Sequence, residues 1–257
     1  MSVQPALARF AAFAIPFSIF GLGLAQTIQP SAGRGESLDN AGASARVFAM
    51  GSAYVGLADD SSALFWNPAG LSGLTQPRLS IDHNSFLAGT FQETLAYGFP
   101  VEDLGGMAAA INYINWGSLD LRDAFGVYQG TSNDTDVGLS AGWGKEWPGS
   151  VSVGLSVQAI QQKVVDTLYT SLSGGAGLLW DPAKHWRFGL SYMGFGTPVG
   201  GEPLASSLQA GGSYRWNAGE NKRLVLAFAG VWEPQGVSRL EWGAEGALDQ
   251  TLMLRAG

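Results

Sequence analysis

From Pro77 onward the chain alternates apolar residues with small or polar ones at a period of two. Trp186, Phe188, Leu190 and Tyr192 interleave with Arg187, Gly189, Ser191 and Met193. Leu208, Ala210, Gly212, Tyr214 and Trp216 interleave with Gln209, Gly211, Ser213 and Arg215. Val151, Val153, Leu155 and Val157 repeat the pattern, as do Leu240, Trp242 and Ala244 set against Arg239, Glu241, Gly243 and Glu245. A strand sends successive side chains to opposite faces, so each segment has one apolar face and one small or charged face. Two architectures use such strands. A sandwich or lipocalin-like barrel buries the apolar face, whereas a transmembrane barrel turns it to lipid and keeps polar groups inside. The second face here is mostly Gly, Ser and Ala, not the Lys and Glu of a soluble exterior. Most segments also reach the ~9–11 residues that cross a bilayer at a tilt. The pattern predicts an all-β, transmembrane antiparallel barrel.

Turn signals divide this region into about eleven strands. They begin near Pro77, Thr90, Gly106, Asp136, Ser150, Ser171, Trp186, Ser207, Arg223, Val237 and Thr251. Tight turns are expected at Trp147-Pro148-Gly149-Ser150, Asp181-Pro182-Ala183-Lys184 and Asn217-Ala218-Gly219-Glu220. Longer connections are expected at Gly117 to Thr135, Gln161 to Thr170 and Gly194 to Ala205. Short and long connections alternate, as when one barrel end faces the periplasm and the other the exterior. Trp147, Trp180, Trp186 and Trp216 lie beside the short turns and read as an aromatic girdle. Eleven is odd, where single-chain bacterial barrels have even strand numbers. Leu254-Arg255-Ala256-Gly257 also falls inside a strand. Either the count is off by one or two, or the sequence lacks its last strands.

Composition supports the membrane reading. Charged residues are 14% of the chain, against about 25% in soluble domains. Glycine supplies 37 of 257 residues and tryptophan 9, and lipid interfaces favour Trp and Tyr. A net charge of −7 argues against nucleic acid, because phosphate binding needs clustered Lys and Arg. With no cysteine there is no disulfide, thiolate nucleophile or cysteine metal site. At the N-terminus, Arg9 precedes an apolar run from Phe10 to Leu24, and Gly23-Leu24-Ala25 places small residues before Gln26. That run contains Pro16 and falls short of the ~20 residues of a membrane-spanning helix. It reads as a signal peptide cleaved before Gln26. The expected layout is a signal peptide over 1–25, a lead-in with a plug segment over 26–75, and the barrel over 76–257, incomplete at its C-terminus.

Residues 51–70 interrupt the alternation. A Gly-rich approach leads into Ala58-Asp59-Asp60, and the apolar run Ala63-Leu64-Phe65-Trp66 stops at Asn67-Pro68-Ala69-Gly70. Asp59 or Asp60 is placed to N-cap a short helix. Pro68 disfavours helical geometry at Asn67, and Gly70 permits the turn that follows.

The wording of Met50 to Leu71 resembles the N-terminal signature of the PorV/PorQ family of bacterial outer-membrane proteins, relatives of the FadL long-chain fatty-acid channels. Ser52 and Gly56 are small departures that add neither bulk nor charge. The close match covers roughly residues 42 to 74, and beyond it the likeness is one of pattern. The resemblance implies a FadL-like barrel of about fourteen strands, located in the outer membrane after Sec export. Asp59, Asp60, Phe65, Trp66, Asn67, Pro68 and Gly70 would belong to a short helical plug. It also implies a link to type IX protein secretion, in which members shuttle secreted proteins from translocon to attachment machinery. The partners would be outer-membrane lipid, secreted cargo and secretion components, with cargo meeting the loops Gly117 to Thr135 and Gly194 to Ala205. The alternatives are a FadL-like channel for hydrophobic small molecules and an orphan structural barrel.

No residue set points to an enzyme, a metal or a cofactor. His83 and His185 are the only histidines. In Ser80-Ile81-Asp82-His83-Asn84, Asp82 and His83 point to opposite strand faces and cannot pair. Asp134 and Asp136 offer oxygen ligands, but their segment lacks the glycine and bidentate Glu of an EF-hand and reads as a solvated loop. Arg215, Arg239, Glu241 and Glu245 are expected to face the lumen, paired with one another or with neighbours.

Overall fold

A computed structural model describes residues 44–257 apart from 166, 202, 218–221, 235–237 and 248–251. The expected signal peptide, the lead-in up to residue 43 and the turn at 218–220 lie outside the described residues. The chain forms strands β1 (Arg78–Ser85), β2 (Phe91–Val101), β3 (Gly105–Arg122), β4 (Tyr128–Trp147), β5 (Val151–Val164) and β6 (Thr167–Ala183). It continues with β7 (Trp186–Gly196), β8 (Ser207–Asn217), β9 (Arg223–Trp232), β10 (Arg239–Ala247) and β11 (Met253–Ala256). Every strand pairs antiparallel with its sequence neighbours in one eleven-stranded sheet. Among the described residues β1 and β11 do not pair with each other.

The alternation sorts the two faces as the sequence predicts, with inverted polarity. Leu95, Ile111, Leu139, Leu155, Leu190, Leu226 and Trp242 are exposed. Gln92, Thr94, Asn112, Gln158, Ser191, Gln209 and Ser213 are buried on the other face. Trp147, Trp180, Trp186 and Trp216 are all exposed on the apolar face near one end of the strands. Trp186 and Phe188 stack there, with ring centroids 5.9 Å apart. No helix among the described residues is long and apolar enough to cross a membrane.

Two of the three expected long connections are mostly strand. β3 runs on to Arg122 and β4 begins at Tyr128, so Gly117 to Thr135 is a hairpin with a short turn. Likewise β5 reaches Val164 and β6 starts at Thr167. Hydrophobic alternation is lost over Tyr128–Thr135, where polar residues occupy both faces although the backbone pairing continues, whereas Leu119 and Leu121 keep it going to the end of β3. Asp134 and Asp136 therefore sit in β4, not in a solvated loop, and Asp136 is fully buried. The third connection, 197–206, is long as expected, beginning two residues after Phe195.

Before the strands come α1 (Ala45–Ala49), α2 (Ala63–Trp66) and a 3-10 helix over Pro68–Gly73. These elements lie on the small-residue face of the sheet. Ser61 bonds Ser80 of β1. Leu71 and Leu74 pack with Ala96 of β2 and Ala108 of β3, while Tyr54 and Leu57 share the same core with Val225 and Ala227 of β9. Glycines make this approach feasible. A Cβ on Gly154 of β5 would lie 2.2 Å from the Pro68 carbonyl carbon, and one on Gly189 of β7 would lie 2.1 Å from the Val55 carbonyl oxygen.

Candidate functional site

The strongest candidate is the N-terminal segment, residues 44–74, and the polar groups that fasten it to the sheet. α2 is a single turn. Ala63 and Leu64 are buried, Trp66 nearly so, and Phe65 only half. An isolated turn of this kind does not persist in water, so tertiary burial holds it. Trp66 meets Tyr54 edge-on, with centroids 5.9 Å apart. As Pro68 requires, Asn67 is extended, with φ −153° and ψ 93°. Its side-chain oxygen then accepts from Ala69 N and caps the 3-10 helix.

Three motif residues behave differently from expectation. Asp59 is no helix cap. Its carboxylate pairs with Arg46 at 2.5 Å and Arg215 at 3.2 Å, because two arginines compete for it more strongly than peptide N–H groups do. Asp60 comes closer to capping, since its Oδ1 accepts from Ser62 N at 2.8 Å, while Oδ2 pairs with Arg46. The cap position itself is Ser62, whose side chain makes no capping bond. Gly70 lies inside the 3-10 helix, not in a turn. It is small because a Cβ there would meet the Ala58 carbonyl oxygen at 2.6 Å.

The charges on this face form three groups, one of them the Arg187–Asp181 pair at 2.6 Å. In the first, Glu245 of β10 is 1% exposed and accepts from Arg46 at 2.9 Å, Arg223 of β9 at 3.0 Å and Arg255 of β11 at 2.7 Å. Arg46 thereby joins Asp59, Asp60 and Glu245. Burial opposes the charge on Arg46, but the neighbouring Asp59 carboxylate, then Tyr54 and Asp60, outweigh it and raise its pKa. Burial pushes the Tyr54 phenol well above its ordinary range, and Asp60 and Asp59 push it further. In the second group, Arg239 pairs with Glu241 at 2.9 Å and with Glu233. All four charges expected to face inward, Arg215, Arg239, Glu241 and Glu245, lie on the small-residue face, and each is paired. Sequence reasoning did not single out Arg46. Its signal was modest: an isolated cation in a Gly, Ser and Ala stretch, thirteen residues before an acidic pair.

α1 occupies a particular place in this arrangement. Ala45 N donates to Asp82 Oδ1 of β1 at 3.1 Å, and the next residue, Arg46, reaches Glu245 of β10. Gly257, just past β11, abuts Gly51. α1 thus packs against both edge strands, β1 and β11.

Beyond α2 lies a cavity of about 20 Å³ lined by Leu64, Phe65, Ser140, Gln158, Ser173 and Met193, room for about one water. Ser140 Oγ and Gln158 Nε2 are buried there without a hydrogen-bond partner among the described residues. A bound water satisfies such groups at little cost.

No protein-family model matches the chain, and no curated protein matches it.

Proposed function

We propose that the protein is an outer-membrane β-barrel of the PorV/PorQ type, in which residues 44–74 form a plug inside the lumen. The observation that carries this reading is the inverted polarity of the sheet. Leu, Trp and Phe are exposed on its outer face, while Gln, Asn, Ser and paired charges are buried on its inner face. Such a surface suits lipid and would be costly to leave in water. The plug is supported by the contacts that the segment makes across the sheet and by the glycines that make room for it. The shuttle role in type IX secretion rests on the likeness of Met50 to Leu71 to the family signature. Passing a secreted protein onward needs no catalytic group. The β3–β4 hairpin around 117–135 and the connection 197–206 are the surfaces offered to cargo. A channel for hydrophobic solutes is the weaker reading, because the inner wall carries Gln92, Asn112, Ser140 and Gln158 where an apolar path would need aliphatic groups.

The test is fractionation followed by capture. The full chain is expressed in a bacterium with type IX secretion, recovered with the outer membrane, and cross-linked in place. Cross-linking of secreted proteins to 117–135 or 197–206 is the expected result. Recovery in the soluble periplasm removes the membrane reading. Membrane recovery without cargo cross-links removes the shuttle and leaves an orphan barrel.

A further inference from the structure

His83 and Ser85 share one face of β1, two residues apart, and Glu93 of β2 stands opposite His83 in the ladder. In the structure His83 Nε2 lies 2.9 Å from Ser85 Oγ, and His83 Nδ1 lies 2.7 Å from Glu93 Oε1. This is the hydroxyl–imidazole–carboxylate order of serine hydrolases, which is recognised by geometry and not by sequence position. Glu93, accepting from Nδ1–H, leaves the Nε2 lone pair turned toward the Ser85 hydroxyl. The ring is held from a third side by Phe91, which stacks on it with centroids 6.3 Å apart. His83 and Glu93 are 56% and 47% exposed, so a substrate can reach them.

The surroundings define the substrate. Along β1 the same face continues from His83 to Ile81 and Leu79, and along β2 from Glu93 to Leu95 and Tyr97, all exposed. Leu79 is six residues from Ser85, roughly 20 Å at the strand rise. An ester carbonyl at Ser85 would leave a long acyl chain lying on this apolar wall.

We propose that His83, Ser85 and Glu93 form an outward-facing hydrolase site for carboxylic esters of long-chain acids, the chemistry of a membrane lipid ester. Ser85 Oγ attacks the carbonyl carbon as its proton passes to His83 Nε2. The ester C–O bond breaks, and the departing alcohol takes that proton. Water then attacks the acyl–Ser85 ester, giving its proton to His83, and the fatty acid leaves as Ser85 regains its hydrogen. Ser85 and His83 are the catalytic residues, and Glu93 is a positioning residue. The choice of a lipid substrate rests on the outer face meeting lipid; the Ser–His–Glu chemistry does not.

The experiment uses the full chain folded in detergent micelles, with folding checked by circular dichroism and by the gel shift on boiling. A fluorophosphonate probe should add its phosphonyl mass to the peptide containing Ser85 and leave Ser85→Ala unlabelled. Turnover of a p-nitrophenyl long-chain ester should fall by about 10²–10⁴ in His83→Asn, the usual worth of a general base. Glu93→Gln should lower kcat while leaving KM unchanged, a split that a merely structural role would not give. Absence of Ser85-dependent labelling and turnover in the folded protein overturns the site. Ser85-dependent turnover of short esters but not long ones overturns the lipid assignment. Neither result bears on membrane recovery, which tests the barrel reading separately.

Discussion

Asn67 donates its side-chain amide to the Leu178 carbonyl oxygen of β6 at 3.1 Å and to the Val55 carbonyl oxygen at 2.8 Å. One fully buried side chain thus ties the two halves of the N-terminal segment to each other and to the sheet. Pro68 makes the bond available by forcing Asn67 out of helical geometry. Asn67→Ala leaves two carbonyls and the Ala69 N–H without this partner, at a cost of about 1–3 kcal/mol. Limited proteolysis should then cut within 44–74 while the strands stay resistant. A variant as resistant as the parent would show that the amide is not what holds the segment.

Gly154→Val places a side chain where Pro68 already sits, since even a Cβ would come within 2.2 Å of its carbonyl carbon. Backbone is the obstacle, so a rotamer change cannot relieve the clash. We expect a loss of at least the ~1–3 kcal/mol typical of overpacking, seen as lost gel-shift behaviour on folding. Gly246→Ala is the control, because a Cβ there meets nothing within 4 Å.

Leu190 is exposed on the apolar face, so its response to charge reports its solvent. Leu190→Arg should destabilise the protein by about 2–4 kcal/mol in phospholipid vesicles if the residue lies at mid-depth, measured by urea unfolding. In water an arginine at an exposed strand position would be nearly neutral, and that outcome would contradict a lipid-facing surface.

Tyr54 predicts the alkaline limb of stability. Its folded pKa is raised, so between the unfolded value near 10 and the folded one the native state binds the extra proton. Stability is then fully present below about pH 10 and falls as pH rises beyond it. Tyr54→Phe should flatten that fall. It also loses the bond from Asp59 N, costing about 1 kcal/mol at neutral pH. An unchanged alkaline limb would assign the titration to another group.

Glu245 is the hub of three arginines, and Glu245→Gln removes the charge that gathers them. The expected cost is roughly 2–4 kcal/mol, below that of a fully buried pair because the arginines stay partly wet. The effect should appear as earlier release of α1 and β11 in hydrogen exchange. A uniform change over all strands would point to a general loss of stability.

The strand pattern was legible because the exposed apolar face and the buried small-residue face differ in residue size and polarity, as at Leu190 and Ser191. The starts of β7, β8 and β9 fall at Trp186, Ser207 and Arg223, as read from the sequence. The start of β4 was not legible, since Tyr128 to Thr135 keeps pairing without hydrophobic contrast, while the end of β3 carries the legible alternation of Leu119 and Leu121 with Ser118, Asp120 and Arg122. In the candidate site, Asn67 and Pro68 could be read from local stereochemistry. The partners of Asp59 could not, because Arg215 is distant in sequence and Arg46 carries no motif. Asp82, the chain neighbour of His83, lies on the opposite face of β1. The partners of His83 lie two residues along the strand and across the ladder, where single-strand spacing reveals the first and only register reveals the second.

The contacts of α1 with β1 and β10 make ionic strength a selective reagent for this molecule. Neighbouring strands are held by backbone ladders, which dissolved salt hardly weakens. α1 is instead tied to β10 by the Arg46–Glu245 ion pair, in a partly wet network exposed to screening over about 8 Å at physiological salt. Concentrated neutral salt should therefore loosen α1 from β10 while the strand content stays constant.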